Sequence, residues 1–208
     1  MIKFKDVINE NVIMSNLIES INKYHLLNEI ESDAFIRKVK QEYFDKKDII
    51  IKKGSMCNRI FFIEKGLVKY HHNVHEQDKT IRFFAENEFF TSIQCYSEGK
   101  PARYEALALE NTYVSSIRYS DLEELTNKYI GITILIDKIF ASAALHILNL
   151  MHTHIDIEAA ERYQYFETQY PHLLNRLNLK EIASYLNISQ VSLSRIRSAR
   201  VSKLKKDL

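Results

Sequence analysis

The stretch Leu179-Lys180-Glu181-Ile182-Ala183-Ser184-Tyr185-Leu186-Asn187-Ile188-Ser189-Gln190-Val191-Ser192-Leu193-Ser194-Arg195-Ile196-Arg197-Ser198 decides how the C-terminal part of this chain folds. Ile182, Ala183 and Leu186 recur at helical spacing, and Leu193 and Ile196 do so again after a short gap. Two short helices that cross nearly at right angles need a small residue at the crossing, and Ala183 supplies it. Four positions later the turn needs a residue that tolerates left-handed φ, and Asn187 stands where glycine is more usual. Ile188 follows as an apolar contact and Ser189 as the N-cap of a second helix. These occupied slots predict a helix-turn-helix.

Such a second helix enters the major groove of DNA N-terminus first. Its outward positions are Gln190, Val191, Ser192, Ser194, Arg195, Arg197 and Ser198. Gln190 suits adenine N6/N7 and Arg195 suits guanine O6/N7, each contact giving about 1–3 kcal/mol of discrimination. Ser189 and Ser192 suit phosphates at the helix start, where backbone N–H groups also point. Arg197, Arg200 and Lys203 are expected to neutralise backbone charge without reading sequence.

The charge distribution agrees with that reading. The net charge of +2 is unremarkable for 208 residues until it is divided at Pro171. From there to Leu208 the chain holds eight Lys/Arg and two acids, a charge of +6. The first 170 residues keep 21 basic and 25 acidic side chains, a charge of −4. A mildly acidic body with a basic end suits a polyanion. With 46% hydrophobic and 27% charged residues the chain is globular in composition. No apolar run approaches the roughly 20 residues of a membrane span. Met1-Ile2-Lys3-Phe4-Lys5-Asp6 lacks a signal peptide's apolar stretch, so a cytoplasmic location and no membrane partner are expected. Two cysteines, Cys57 and Cys95, are too few for a disulfide framework and are expected to be packing residues.

Upstream, residues 12–42 have helical spacing through Leu17, Ile21, Leu26, Phe35 and Val39, extending to Tyr43. Residues 44–118 change period. Ile49–Ile51, Ile60–Ile63, Leu67–Tyr70, Thr80–Phe84, Ala106–Leu109 and Tyr113–Ile117 are short β-branched or aromatic runs separated by turn residues. They predict a β-sandwich or barrel of jelly-roll type, with Gly54, Gly66 and Gly99 in its turns. From Asp121 a long helical pattern follows, with Ile132, Ile136, Ile139, Ala143 and Leu150 on a three/four spacing. That stripe either buries a core face or pairs with its twin across a dimer axis, and the dimer interface is the preferred reading. Thr153-His154-Ile155-Asp156 has the pattern of a fresh helix start and is expected to break the helix. The fold class is α+β.

This order of parts resembles the CRP/FNR family of bacterial transcription regulators, over about Leu17 to Arg200. The resemblance is carried by Cys57-Asn58-Arg59-Ile60-Phe61-Phe62-Ile63-Glu64-Lys65-Gly66, by Glu161-Arg162-Tyr163 through Pro171, by Ile182-Ala183-Ser184-Tyr185-Leu186 and by Leu193-Ser194-Arg195-Ile196-Arg197. The last two are most similar to a branch common in Bacteroidetes. The resemblance implies a cyclic-nucleotide-binding-like sensor domain (1–120), a dimerisation helix (121–155) and a winged-helix-like DNA-binding domain (156–208). Its implied partners are a pseudo-palindromic double-stranded DNA operator, a second copy of the chain and RNA polymerase. Members that bind a cyclic nucleotide carry Gly-Glu on a short turn and Arg-Ser/Thr about ten residues later. Aligned through Glu88-Phe89-Phe90, this chain has Thr91-Ser92 and then Pro101-Ala102-Arg103-Tyr104. Phe90, Thr91, Ser92, Arg103 and Tyr104 are therefore the candidate ligand residues of a degenerate cassette. Arg103 is one place out, which on a strand turns a side chain to the opposite face. A buried phosphate without a positioned cation is costly, so an effector other than a cyclic nucleotide is expected. An iron–sulfur sensor needs about four thiolates and is excluded.

Jelly rolls also host metal-binding cupin enzymes, which makes His71, His72 and His75 an alternative to weigh. Adjacent histidines on a strand point to opposite faces, so they are expected at a solvated hairpin tip. His146, His152 and His154 do not share a helical face. No phosphate loop, nucleophile elbow or Ser-His-Asp signature is present. The expectation is a regulator that is not an enzyme, with no cofactor and no metal. The alternatives are a cupin-like enzyme and a sensor or scaffold module without DNA binding.

Overall fold

The structure, a computed structural model, describes residues 10–74 and 77–204, with side chains described for 16–73, 78–152 and 157–200. It divides into two compact units. One holds the chain up to His72 and Arg82–Ala143, and the other holds Asn73–Ile81 and the chain from Ala144.

The first unit opens with helices α1 (Glu10–Tyr24) and α2 (Glu29–Lys38). A capping box starts α2: Glu31 N donates to Asn28 Oδ1 at 2.9 Å, and Asn28 N donates to Glu31 Oε2 at 3.2 Å. Eight strands follow: β1 (Lys40–Phe44), β2 (Ile49–Ile51), β3 (Arg59–Lys65), β4 (Val68–Val74), β5 (Gln77–Phe84), β6 (Phe89–Phe90), β7 (Glu105–Ala108) and β8 (Thr112–Arg118). They form two four-stranded sheets, ordered β1-β8-β3-β6 and β2-β7-β4-β5. That is the strand order of a jelly roll, and the six strand-like runs of the sequence all fall within it.

Tyr43 corrects the helical reading of the N-terminal segment. A spacing of four is also a multiple of two, so Val39 and Tyr43 fit a strand as well as a helix. Pairing with β8 settles it, opposing Tyr43 to Tyr113 with ring centroids 4.7 Å apart. Gly54, Gly66 and Gly99 all have positive φ. Gly66 is the most constrained, at φ 121°, because a Cβ there would lie 2.7 Å from Thr112 Cα on β8.

Three further helices belong to the unit wholly or in part: α3 (Ile93–Glu98), α4 (Tyr119–Lys128) and α5 (Ile130–Asp156). Ile60, Phe62 and Ile117 on the outer face of β3 and β8 pack with Leu17 and Ile21 of α1, Phe35 of α2, Leu122 of α4 and Ile132, Leu135, Ile136 and Ile139 of α5. The expected single helix from 121 is broken at Tyr129, whose φ/ψ of −129°/110° are extended. The cause lies 100 residues away in sequence. Gly131 N, in the first turn of α5, donates to Glu31 Oε1 at 3.0 Å, so one buried carboxylate caps both α2 and α5. A Cβ at Gly131 would meet that carboxylate at 2.4 Å.

The expected break at Thr153 is absent, since α5 runs through to Asp156 and the next helix starts at Ala159. The expectation that no stretch is long and apolar enough to span a bilayer is also corrected. The 23-residue segment Ile130–His152 of α5 meets that test by length and composition. Its apolarity has a local use, because Ile132, Leu135, Ile136 and Ile139 line the first unit's core.

The second unit contains α6 (Ala159–Gln169), a single 3-10 turn (Pro171–Leu173), α7 (Leu179–Tyr185) and α8 (Gln190–Leu204). Tyr163, Phe166, Leu173, Leu177, Ile182, Leu186 and Leu193 are among its buried residues, with the Phe166 and Tyr185 rings 5.3 Å apart.

Candidate functional site

The helix pair α7–α8 is built as the local sequence demands. Asn178 and Glu181 form a capping box that starts α7, with Glu181 N donating to Asn178 Oδ1 at 3.0 Å. Ala183 is 2% exposed and Leu193 is fully buried, the two contacts a close crossing requires. Asn187 takes φ 54°, the left-handed conformation expected of the turn. Ile188 N donates back to Ala183 O at 3.0 Å, closing the end of α7. Ser189 Oγ then accepts from Ser192 N at 3.0 Å and bonds Ser192 Oγ at 2.8 Å, capping α8.

This geometry leaves Gln190, Val191, Ser192, Ser194, Arg195, Arg197 and Ser198 on the exposed side of α8, with Val191 60% exposed. Arg200 is placed differently from the expectation of a free phosphate contact. Its Nη1 lies 2.5 Å from Glu167 Oε2 on α6, so the guanidinium ties the two helices together. Burial pushes the neighbouring Tyr163 phenol up, and Arg197 and Arg200 pull against that shift. Lys203 lies in α8, and its side chain is outside the described residues.

A second set of bonds converges on α7. Ser184 Oγ accepts from Thr80 N at 2.9 Å and from Thr80 Oγ1 at 3.0 Å, and donates to Asp78 O at 2.6 Å. Lys79 Nζ donates to Asn187 Oδ1 at 2.9 Å. Residues 78–80 belong to the end of the β4–β5 hairpin and are part of the second compact unit. Nothing in the residue pattern of 73–81 pointed to this role.

The degenerate cassette lies around α3. Thr91 Oγ1 donates to Arg59 O at 2.7 Å and bonds Tyr119 OH at 2.5 Å, while Ser92, fully buried, caps α3 through Cys95 N at 3.4 Å. The polar groups offered by Thr91 and Ser92 are thus used within the fold. Phe90 stacks on Phe61 with centroids 5.0 Å apart and lies 5.4 Å from Phe84, whose ring is 6.1 Å from Tyr70. Tyr104 extends this row, 5.3 Å from Tyr70 and 5.1 Å from the His72 ring. Arg103 is exposed, Glu98 is paired with Lys100, and the Arg59 guanidinium is bound to Glu42 and Ser116.

Of the histidine cluster, the two described members, His71 and His72, do not converge. His71 is 7% exposed with Nε2 3.5 Å from Glu105 Oε1, whereas His72 packs on Tyr104 and His75 lies outside the described residues. The expectation of a solvated hairpin tip is corrected for His71, which β4 turns into the fold. Among the described residues no three His, Cys, Asp or Glu side chains converge as a metal site.

The proposed dimer stripe is corrected as well. Ile132, Ile136 and Ile139 are 0%, 6% and 8% exposed, and the first unit's core takes them up, so they are not open to a second copy. Ala143 and Leu150 are half-buried. The exposed apolar residues of α5 include Ile134, Ala141, Leu145 and Leu148 on one side, with Ile147 and Met151 exposed elsewhere on it. Ile134, Ala141 and Leu148 are seven apart, a spacing that was open to view in the sequence.

Comparisons with known proteins fit this geometry. Residues 41–129 match the cyclic nucleotide-binding domain. No curated protein matches the chain. Among solved structures, FixK2 from Bradyrhizobium japonicum aligns at 17% identity and a TM-score of 0.71, over 79% of this chain and 85% of that one. A CooA variant from Carboxydothermus hydrogenoformans aligns at 16% identity and a TM-score of 0.67, over 92% of this chain and 84% of that one. A protein from Eubacterium rectale, assigned to the CRP/FNR transcriptional regulators, aligns at 12% identity and a TM-score of 0.68, over 85% of each chain. At these identities the likeness is one of fold: a cyclic nucleotide-binding domain followed by a long helix, in the arrangement of CRP/FNR-type structures.

Proposed function

We propose that this protein is a dimeric, sequence-specific DNA-binding transcription regulator of CRP/FNR type, and not an enzyme. The observation that carries the reading is the capped α7–turn–α8 pair with Gln190, Val191, Ser194, Arg195 and Arg197 exposed along one side of α8. A helix so presented fits the major groove, where Arg195 suits a guanine and Gln190 an adenine. Arg197 adds phosphate contact, and Arg200 acts as a positioning residue through Glu167. The second copy is assigned to the exposed side of α5, so that two α8 helices address the two halves of a palindrome.

The β-domain takes an effector other than a cyclic nucleotide in this reading. Thr91 and Ser92 are engaged within the fold, Arg103 is exposed to solvent, and Phe90 packs on Phe61 and Phe84. A cyclic phosphate at α3 then has no positioned cation.

Selection of bound duplexes from a random pool by the purified protein tests the reading. The expected result is a pseudo-palindromic site. Arg195→Ala is expected to cost about 1–3 kcal/mol of affinity and relax preference at one base pair per half-site. Arg197→Ala weakens all duplexes alike and reduces the salt dependence by about one charge. Unchanged affinity and preference in Arg195→Ala sinks the reading.

A further inference from the structure

The chain has two cysteines, 38 positions apart, and the fold brings them into contact. Cys57, just before β3, donates its backbone N–H to Cys95 Sγ of α3 at 3.2 Å. Bond lengths on either side of that contact keep the two Cα atoms within roughly 7.5 Å, next to the disulfide range of about 4.4–6.8 Å. Each sulfur both accepts and donates: Cys95 Sγ accepts from Cys57 N and donates to Ser55 O at 3.8 Å, and Cys57 Sγ accepts from Tyr119 OH at 3.7 Å and donates to Arg59 O at 3.4 Å. The cysteines are 9% and 5% exposed, and Met56 beside Cys57 is 59% exposed.

We propose that Cys57 and Cys95 are an oxidisable pair that closes to an intramolecular disulfide when the protein meets hydrogen peroxide. Cys57, the more exposed, reacts first. Its sulfur forms a bond to one peroxide oxygen, the O–O bond breaks, and the departing hydroxide takes the thiol proton as water. The resulting sulfenic acid is attacked by Cys95. The S–S bond forms, the S–O bond breaks, and the hydroxyl leaves with the Cys95 proton as a second water. Two thiols are oxidised and one peroxide is reduced.

The consequence follows from what α3 touches. Tyr96, next to Cys95, stacks on Phe140 of α5 with centroids 4.7 Å apart, and meets Tyr119 edge-on at 5.0 Å. Drawing Cys95 toward Cys57 pulls on the element that seats Phe140, so the redox state of the pair is felt at α5.

The test treats the purified full chain with a few equivalents of hydrogen peroxide and reads its intact mass and digest. The expected result is a chain lighter by two hydrogens, a digest product joining the Cys57 and Cys95 peptides, and reversal by dithiothreitol. Cys57→Ser and Cys95→Ser each abolish the mass loss, with circular dichroism checking their fold. The joined peptide in the unsubstituted protein decides the matter even where a variant fails to fold. Thiols that stay reduced, sulfurs that only gain oxygen, or a bond between two chains each overturn the proposal. None of these readouts depends on DNA binding, so the two proposals stand or fall separately.

Discussion

Glu64 is 6% exposed on β3, with Oε1 accepting from Ser115 Oγ at 2.5 Å and Oε2 without a hydrogen-bond partner among the described residues. Burial pushes its carboxyl up to about 7, and the Ser115 bond only partly opposes this. Between pH 4.5 and 7 the folded chain therefore holds a proton that the unfolded chain has released. Stability falls as pH rises through that window and is flat with respect to this group above it. Glu64→Gln keeps the shape and removes the charge. It is expected to raise stability at pH 8 by on the order of 1 kcal/mol and to leave it unchanged at pH 4, as denaturant midpoints would show. Arg200 makes a related point from the other charge sign. A cation in a basic segment is read as a phosphate contact until its partner Glu167, 33 positions earlier, is seen.

At the scale of the element, α5 carries two apolar stripes with different uses. Ile132, Leu135, Ile136 and Ile139 belong to the core, while Ile134, Ala141, Leu145 and Leu148 are exposed. Leu145 and Leu148, at 62% and 60% exposure, are the residues that the proposed dimer seam would cover. Leu148→Glu is expected to halve the mass measured by sedimentation while leaving the circular dichroism unchanged. Ile136→Glu, in the core, is expected to unfold the first unit instead, at a cost of about 3–5 kcal/mol. A full-sized dimer from the Leu148 variant rules out this face. The sequence made the apolarity of α5 plain, but with apolar residues on both sides the three/four spacing selected the buried stripe. Its start at Ile130 was not legible at all, because Glu31 determines it.

For the whole molecule, the two compact units do not follow the order of the chain. Residues 73–81, from the end of β4 into β5, count with the α6–α8 unit, fastened by three bonds at Ser184 and one at Asn187. Ser184→Ala leaves the buried Thr80 N–H without its acceptor and is expected to cost about 1–3 kcal/mol. Hydrogen exchange at the Thr80 amide should speed up by one to two orders of magnitude, which is the same cost read as a ratio. An unchanged rate would show that the bond is not holding the hairpin.

What the sequence determined by itself is what local chemistry encodes. Six strand runs with glycine at positive φ, the capped α7–turn–α8 pair with Asn187 in its turn, and the basic C-terminal segment depend on neighbours a few positions apart. Tertiary structure alone decided the strand at Lys40–Phe44, the start of α5 and which side of α5 is free. It also decided the engagement of Arg200, the meeting of Cys57 with Cys95 and the docking of Thr80 on Ser184. Apart from the sides of α5, whose core partners run from Leu17 to Leu125, each of these depends on a partner between 33 and 104 positions away. Periodicity reports which side of an element is apolar, whereas the partner that covers it is chosen by packing.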